Sequence, residues 1–367
     1  MSEPAQKAGT HTEPPIAMRG KLLPKLLLSL ALGGVFGWLY QQGGSPLIPT
    51  REAFAHLTWW AIPVYVVTLV ATHWFRATRW RFLIAPVKRL PLREVVALNW
   101  IGFFAIFALP LRLGELARPA IAKMRNGISI SAGFGTIAVE RVIDGLLMSG
   151  CVAWALFAMP IRDHDDPIAA ALPFYGYLSL VVFSAAFVGL ALFLWQRDLA
   201  VRLTLRVGGL VSKRLAGLVS QKIGTLADGV RSIGNPKLAL PFLGETILYW
   251  GCNAFGMWIL GVGCGIPMTF GHAIAVMGIL AIGILLPAGP GLFGNFQLAI
   301  STALSLYFAA ELVDGEGAVY IFVMYVVQAV VITLAGVVPL LAMRIPLRAL
   351  FGGTVIAKNL ATDRMGT

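Results

Sequence analysis

A chain of 367 residues that is 58% apolar and 13% charged, with a mean hydropathy of +0.79, carries more apolar surface than a water-soluble fold can hide. Soluble domains run at roughly 45 to 50% apolar and 25% charged. The net charge of +12, from 29 Lys and Arg against 17 Asp and Glu, sits in clusters between apolar segments, which points to cytoplasmic loops and away from nucleic acid.

Residues 1–20 read as a disordered, polar cytoplasmic tail, and residues 21–343 as a transmembrane domain followed by a cytoplasmic tail, 344–367. The first apolar segment, Leu22 to Tyr40, exceeds a signal-peptide core and lacks a cleavage pattern, so it is expected to stay as an anchor. Trp59 to Phe75 follows. The run Arg76, Arg79, Arg81, Lys88, Arg89 and Arg93 then reads as an internal loop, which places the N-terminus inside.

Val95 to Leu109 is short and ends at Leu109-Pro110. A full crossing would put Arg112, Arg118, Lys123 and Arg125 outside, so a re-entrant hairpin turning at the proline is expected. Ser131 to Met159 runs outward to the acidic loop at Asp163 to Asp166, and Phe174 to Trp195 returns. The basic connection 197–237, with leucines and valines among its arginines, suits a helix lying on anionic headgroups at the cytoplasmic face. Leu238 to Leu260 goes outward. The next stretch, Phe270 to Phe308, is broken at Leu286-Pro287 and reads as a second hairpin entering from outside, and Ala318 to Met343 ends inside beside Arg344.

The expected fold class is therefore all-α and polytopic, with about six full spans and two re-entrant hairpins in two inverted repeats, residues 22–160 and 174–343. Both termini are expected in the cytoplasm and the chain in the inner membrane.

Three groups of polar residues stand out. Arg112, Glu115 and Arg118 recur every third residue and form one ridge on a helix. Such a ridge either forks onto phosphate oxygens at a buried hairpin tip or faces water beside the membrane. Glu140, Arg141 and Asp144 lie inside a long apolar span, where each charge costs roughly 2.5 to 3.5 kcal/mol unless paired. Glu140 and Asp144 share a face, their compensation within the helix is incomplete, and Arg112 or Arg118 is the natural outside partner. Glu245, Tyr249 and Asn253 form a stripe that either lines a polar cavity or bonds neighbouring helices, while Asn295 follows the second break. No catalytic fingerprint appears. Cys151, Cys252 and Cys264 form no CxxC pair and read as packing residues, so no metal or cofactor is expected. The acidic Asp163-His164-Asp165 is the single hint of a metal-dependent transferase.

Leu-Pro-x-Arg-x-Gly-Glu-x-x-Arg at Leu109 to Arg118, Glu-Arg-x-x-Asp at Glu140 to Asp144 and Pro-Gly-Leu-Phe-Gly-Asn-Phe at Pro290 to Phe296 together resemble the flippase-like, lysylphosphatidylglycerol synthase transmembrane-region family. Asn295 stands where that pattern leads one to expect an acidic residue. The resemblance implies a membrane domain that moves a phospholipid or lipid-linked headgroup between leaflets, without the aminoacyl-transferase domain some members carry. The expected activity is lipid translocation rather than enzymatic catalysis, with Arg112 and Arg118 on a phosphate and Glu115, Glu140 and Asp144 either orienting them or meeting a cationic part of the headgroup. The alternative is an integral-membrane transferase using Asp163 and Asp165. A homo-oligomer is compatible with either reading.

Overall fold

The computed structural model describes residues 16–162, 167–195, 231–284 and 289–351, which are helical and contain no strand. Helices α1 (Ile16–Gln42), α2 (Ala61–Thr78) and the short α3 (Trp80–Ile84) lead into α4 (Leu92–Ala108). There the chain breaks. Pro110 offers no N–H to continue the ladder, Leu109 is extended (φ −95°, ψ 142°), and a tight 3-10 turn, Pro110–Leu116, leads into α5 (Ala117–Asn126).

Helix α5 doubles back along α4. Arg125 Nε donates to Glu94 Oε1 at 2.9 Å and Lys88 Nζ donates to the Asn126 carbonyl at 2.7 Å, so the start of α4 and the end of α5 lie at one level. The return is tight at Gly114, where a Cβ would run into the Ala105 backbone. Gly127, at φ +69°, caps α5 in the left-handed region.

Helix α6 (Ile130–Ala158), capped by Ser129, and α7 (Pro167–Trp195) form the next pair. Then come α8 (Pro236–Gly263), α9 (Phe270–Gly283) and α10 (Asn295–Ser305). The second hairpin also closes on itself: Asn295 Nδ2 donates to the Gly283 carbonyl at 2.9 Å, and His272 at the start of α9 packs on Tyr307 and Phe308 beyond α10. Its expected break at Leu286-Pro287 lies outside the described residues, as do Asp163, Asp165 and most of the basic connection, 197–230. A π-helical turn, Val313–Gly317, feeds α11 (Ala318–Ala342).

Helices from the first and second halves of the chain pack against one another. Helices α2 and α8 run antiparallel in close contact, Ala61 on Gly263, Thr68 on Gly256 and Arg79 on Thr246. Helix α4 packs on α11 through Phe104 and Gly336, and α6 packs on α9 through Val152 and Gly278. The outer helices depart from this pattern: α7 lies on α6, whereas α1 crosses the second hairpin, where a Cβ on Gly33 would come within 3.1 Å of Gly289. Two apolar cores result, one around each hairpin.

The outer faces are apolar. Val326, Val330, Leu334, Val338 and Leu341 form a stripe down α11 that reaches 59% exposure at Leu334 and 69% at Leu341. Helices α1, α7 and α8 expose similar rows, among them Leu27, Trp38, Phe174, Val181 and Ile247. Contiguous apolar surface of this extent marks contact with a partner or a bilayer. Among the described residues, Ile130–Ala158 and Ala310–Ala342 are long and apolar enough to cross a membrane. Only 28% of the most apolar window of each is buried, so neither is the core helix of a soluble domain.

One sequence expectation is corrected. Arg76 and Arg79 do not belong to a solvated loop: α2 continues to Thr78, and Arg79 is 1% exposed. Burial is tolerated because α6 brings a carboxylate to meet the guanidinium.

Candidate functional site

The charged residues converge on one cleft between α2, the first hairpin and α6. About 420 Å³ of space, part of it open to solvent, is lined by Arg76, Arg79, Gly102, Phe103, Glu115, Arg118, Glu140, Arg141 and Asp144, among others. Helix α6 supplies its back wall because Glu140 and Asp144 are four residues apart and face the same way.

Arg79 and Asp144 form a fork: Nη1 donates to Oδ1 and Nη2 to Oδ2, each at 2.6 Å. Nη1 also donates to Thr246 Oγ1 at 3.1 Å, and Trp250 Nε1 donates to Asp144 Oδ1 at 3.1 Å. The Tyr249 ring lies 4.9 Å from the Arg79 guanidinium carbon. Asp144 is 8% exposed, so this pair joins α2, α6 and α8 with little solvent around it.

Arg118 and Glu140 form a second buried fork through Nη2 to Oε2 and Nη1 to Oε1. Nη1 also donates to Asn99 Oδ1 at 2.6 Å, and the Trp80 ring lies 5.2 Å from the guanidinium. At the rim, Arg141 Nη2 meets Glu115 Oε1 at 3.4 Å, with both side chains about a third exposed. Buried pairs with this geometry hold helices in register, and breaking one leaves an uncompensated charge.

Arg76 stands apart. Its guanidinium carbon lies 4.3 Å from the centroid of Phe103 and 5.7 Å from that of Tyr249, and among the described residues it forms no ion pair. Among the described residues the lining thus holds four arginines, Arg76, Arg79, Arg118 and Arg141, against three carboxylates, Glu115, Glu140 and Asp144. Each carboxylate already faces an arginine, and Arg76 is the cation left over.

Of the residues singled out in the sequence, Glu115, Arg118, Glu140, Arg141 and Asp144 share this cleft, and Tyr249 backs it. The Arg112 side chain lies outside the described residues, although its backbone belongs to the 3-10 turn. Glu245 sits elsewhere, accepting from Arg81 Nη2 and Thr78 Oγ1 at 2.6 Å each. Asn253 is not part of the lining, and Asn295 ties the second hairpin together. Among the described residues the ion-pair partner of Asp144 is Arg79 rather than Arg118, which meets Glu140. Arg76, Arg79, Asn99, Phe103 and Trp250 were missed. Arg76 and Arg79 are three apart, and the net negative charge inside α6 calls for an outside cation, so a helix extended by one turn would have exposed the signal. Among the described residues, no group of three or more His, Cys, Asp or Glu is placed to hold a metal ion.

The family model described as lysylphosphatidylglycerol synthase TM region matches residues 25–336, and the chain belongs to that family. No curated protein and no solved structure matches it.

Proposed function

We propose that this membrane protein is a lipid translocase that moves the headgroup of a phospholipid or lipid-linked molecule between leaflets of the inner membrane. The observation that carries the reading is the charged cleft itself. Ionisable side chains at membrane depth are costly and collect where a polar substrate passes, and here they line a cleft within a chain whose outer faces are apolar. Family membership supports a lipid-related role, since the family takes its name from a lipid synthase.

In this reading the two hairpins are re-entrant and enter from opposite faces, and α2 with α8, α4 with α9 and α6 with α11 are inverted mates. The matched pairings of α4 on α11 and α6 on α9 support it, as does the way both hairpins return to their starting level. About six helices cross fully, both termini face the cytoplasm, and broken helices meet near the midplane, as in transporters built from inverted repeats.

The second reading is a transferase acting on a lipid-linked donor, which rests on Asp163 and Asp165. Proteoliposomes separate the two. A translocase exchanges a labelled phospholipid between leaflets without a co-substrate and leaves it chemically unchanged, and Asp163→Asn with Asp165→Asn does not slow it. A modified lipid product, or loss of function in that double variant, favours the transferase. Leaflet exchange no faster than in protein-free liposomes overturns the proposal.

A further inference from the structure

Arg76 is the group in the cleft that the ion pairs leave unused. Arg79 and Arg118 spend both terminal nitrogens on carboxylates, and each oxygen of Asp144 and Glu140 already accepts from a guanidinium. An incoming anion that recruited Arg79 or Arg118 would have to break a buried fork and leave a carboxylate uncompensated. Recruiting Arg76 breaks no ion pair.

Its surroundings suit a receptor. Phe103 and Tyr249 lie 4.3 and 5.7 Å from the guanidinium carbon, while Gly102, which lines the cleft beside Phe103, adds no side chain. An arginine held on an aromatic face keeps its in-plane N–H groups directed outward, in the geometry that matches two oxygens of a phosphate. Across the cleft the deep carboxylates are each already forked by an arginine, so a substrate ammonium would compete with a guanidinium for either and would meet an excess of guanidinium charge.

We infer that Arg76 is the receptor for the phosphodiester of an anionic lipid headgroup, and that the cleft disfavours headgroups of net positive charge, such as the lysyl ester of phosphatidylglycerol. The inference rests on the translocase reading for its lipid context, and it assigns the phosphate to Arg76 rather than to Arg118.

The test uses the full chain in detergent and a soluble short-chain phosphatidylglycerol, with binding measured apart from transport. The wild type binds it, and Arg76→Gln weakens binding about 10- to 100-fold, as loss of a charged, bidentate hydrogen bond does. Arg76→Lys recovers part of the affinity. Because Arg76 holds no carboxylate, Arg76→Gln leaves the melting temperature and the folded yield unchanged, which separates lost binding from lost fold. The lysyl ester of the same lipid binds more weakly than the parent, and inorganic phosphate competes poorly. Equal binding by wild type and Arg76→Gln overturns the assignment of the receptor. Tighter binding of the lysyl ester overturns the charge selectivity, and equal competition by inorganic phosphate replaces the lipid with a free anion. Binding that depends on Arg76 in a protein that exchanges no lipid refutes the translocase reading and leaves the receptor standing.

Discussion

Replacing Arg79 with Gln removes the guanidinium that meets both oxygens of Asp144 at 2.6 Å in a site where the arginine is 1% and the aspartate 8% exposed. The orphaned carboxylate keeps the Trp250 bond but loses its charge partner, and breaking such a buried pair costs about 3 to 5 kcal/mol. Asp144→Asn leaves Arg79 uncompensated beside Tyr249 and costs a similar amount. The double variant removes both charges and keeps amides of comparable size, so it recovers part of the loss, with a coupling of about 0.5 to 3 kcal/mol. Arg79 also donates to Thr246, a bond worth about 1 kcal/mol that the double variant does not restore. Unfolding of the four proteins in detergent, followed by near-ultraviolet circular dichroism, measures the cycle. Strict additivity would mean that Arg79 and Asp144 do not interact, and would remove the pair that joins α2 to α6 and α8.

Gly114→Ala drives a methyl group into the Ala105 backbone and should cost about 3 kcal/mol or more, whereas Gly150→Ala, which meets nothing within 4 Å, should gain about 0.5 to 1 kcal/mol in helix propensity. A yield of monodisperse Gly114→Ala protein equal to that of the wild type would contradict the tight hairpin. In a cysteine-free background in intact cells, an external thiol reagent should reach Asp314→Cys and spare Lys123→Cys, and external labelling of position 123 would make the first hairpin a full span.

The sequence already carried the break at Leu109-Pro110, because a proline without an N–H must end a helix, and the shared face of Glu140 and Asp144, because helical spacing is local. It could not carry the partner choices. Arginines that follow an apolar segment look like loop residues, and the extra turn that carries Arg76 into the cleft depends on α2 lying along α8, a contact between residues far apart in the chain. Asn99 was hidden for the opposite reason, as a lone polar residue beyond the charged first turn of α4 whose role appears only when α5 folds back and presents Arg118. Glu245 shared a stripe with Tyr249, but the antiparallel register of α2 and α8 sends it to Arg81 and Thr78.

The most direct test of the translocase account is leaflet exchange in proteoliposomes carrying a fluorescent phosphatidylglycerol, with a membrane-impermeant quencher added outside. With the wild type, quenching should proceed past the outer-leaflet share as lipid from the inner leaflet arrives, and Arg76→Gln should slow that second phase. A plateau at the outer-leaflet share, the same as in liposomes without protein, would contradict the account.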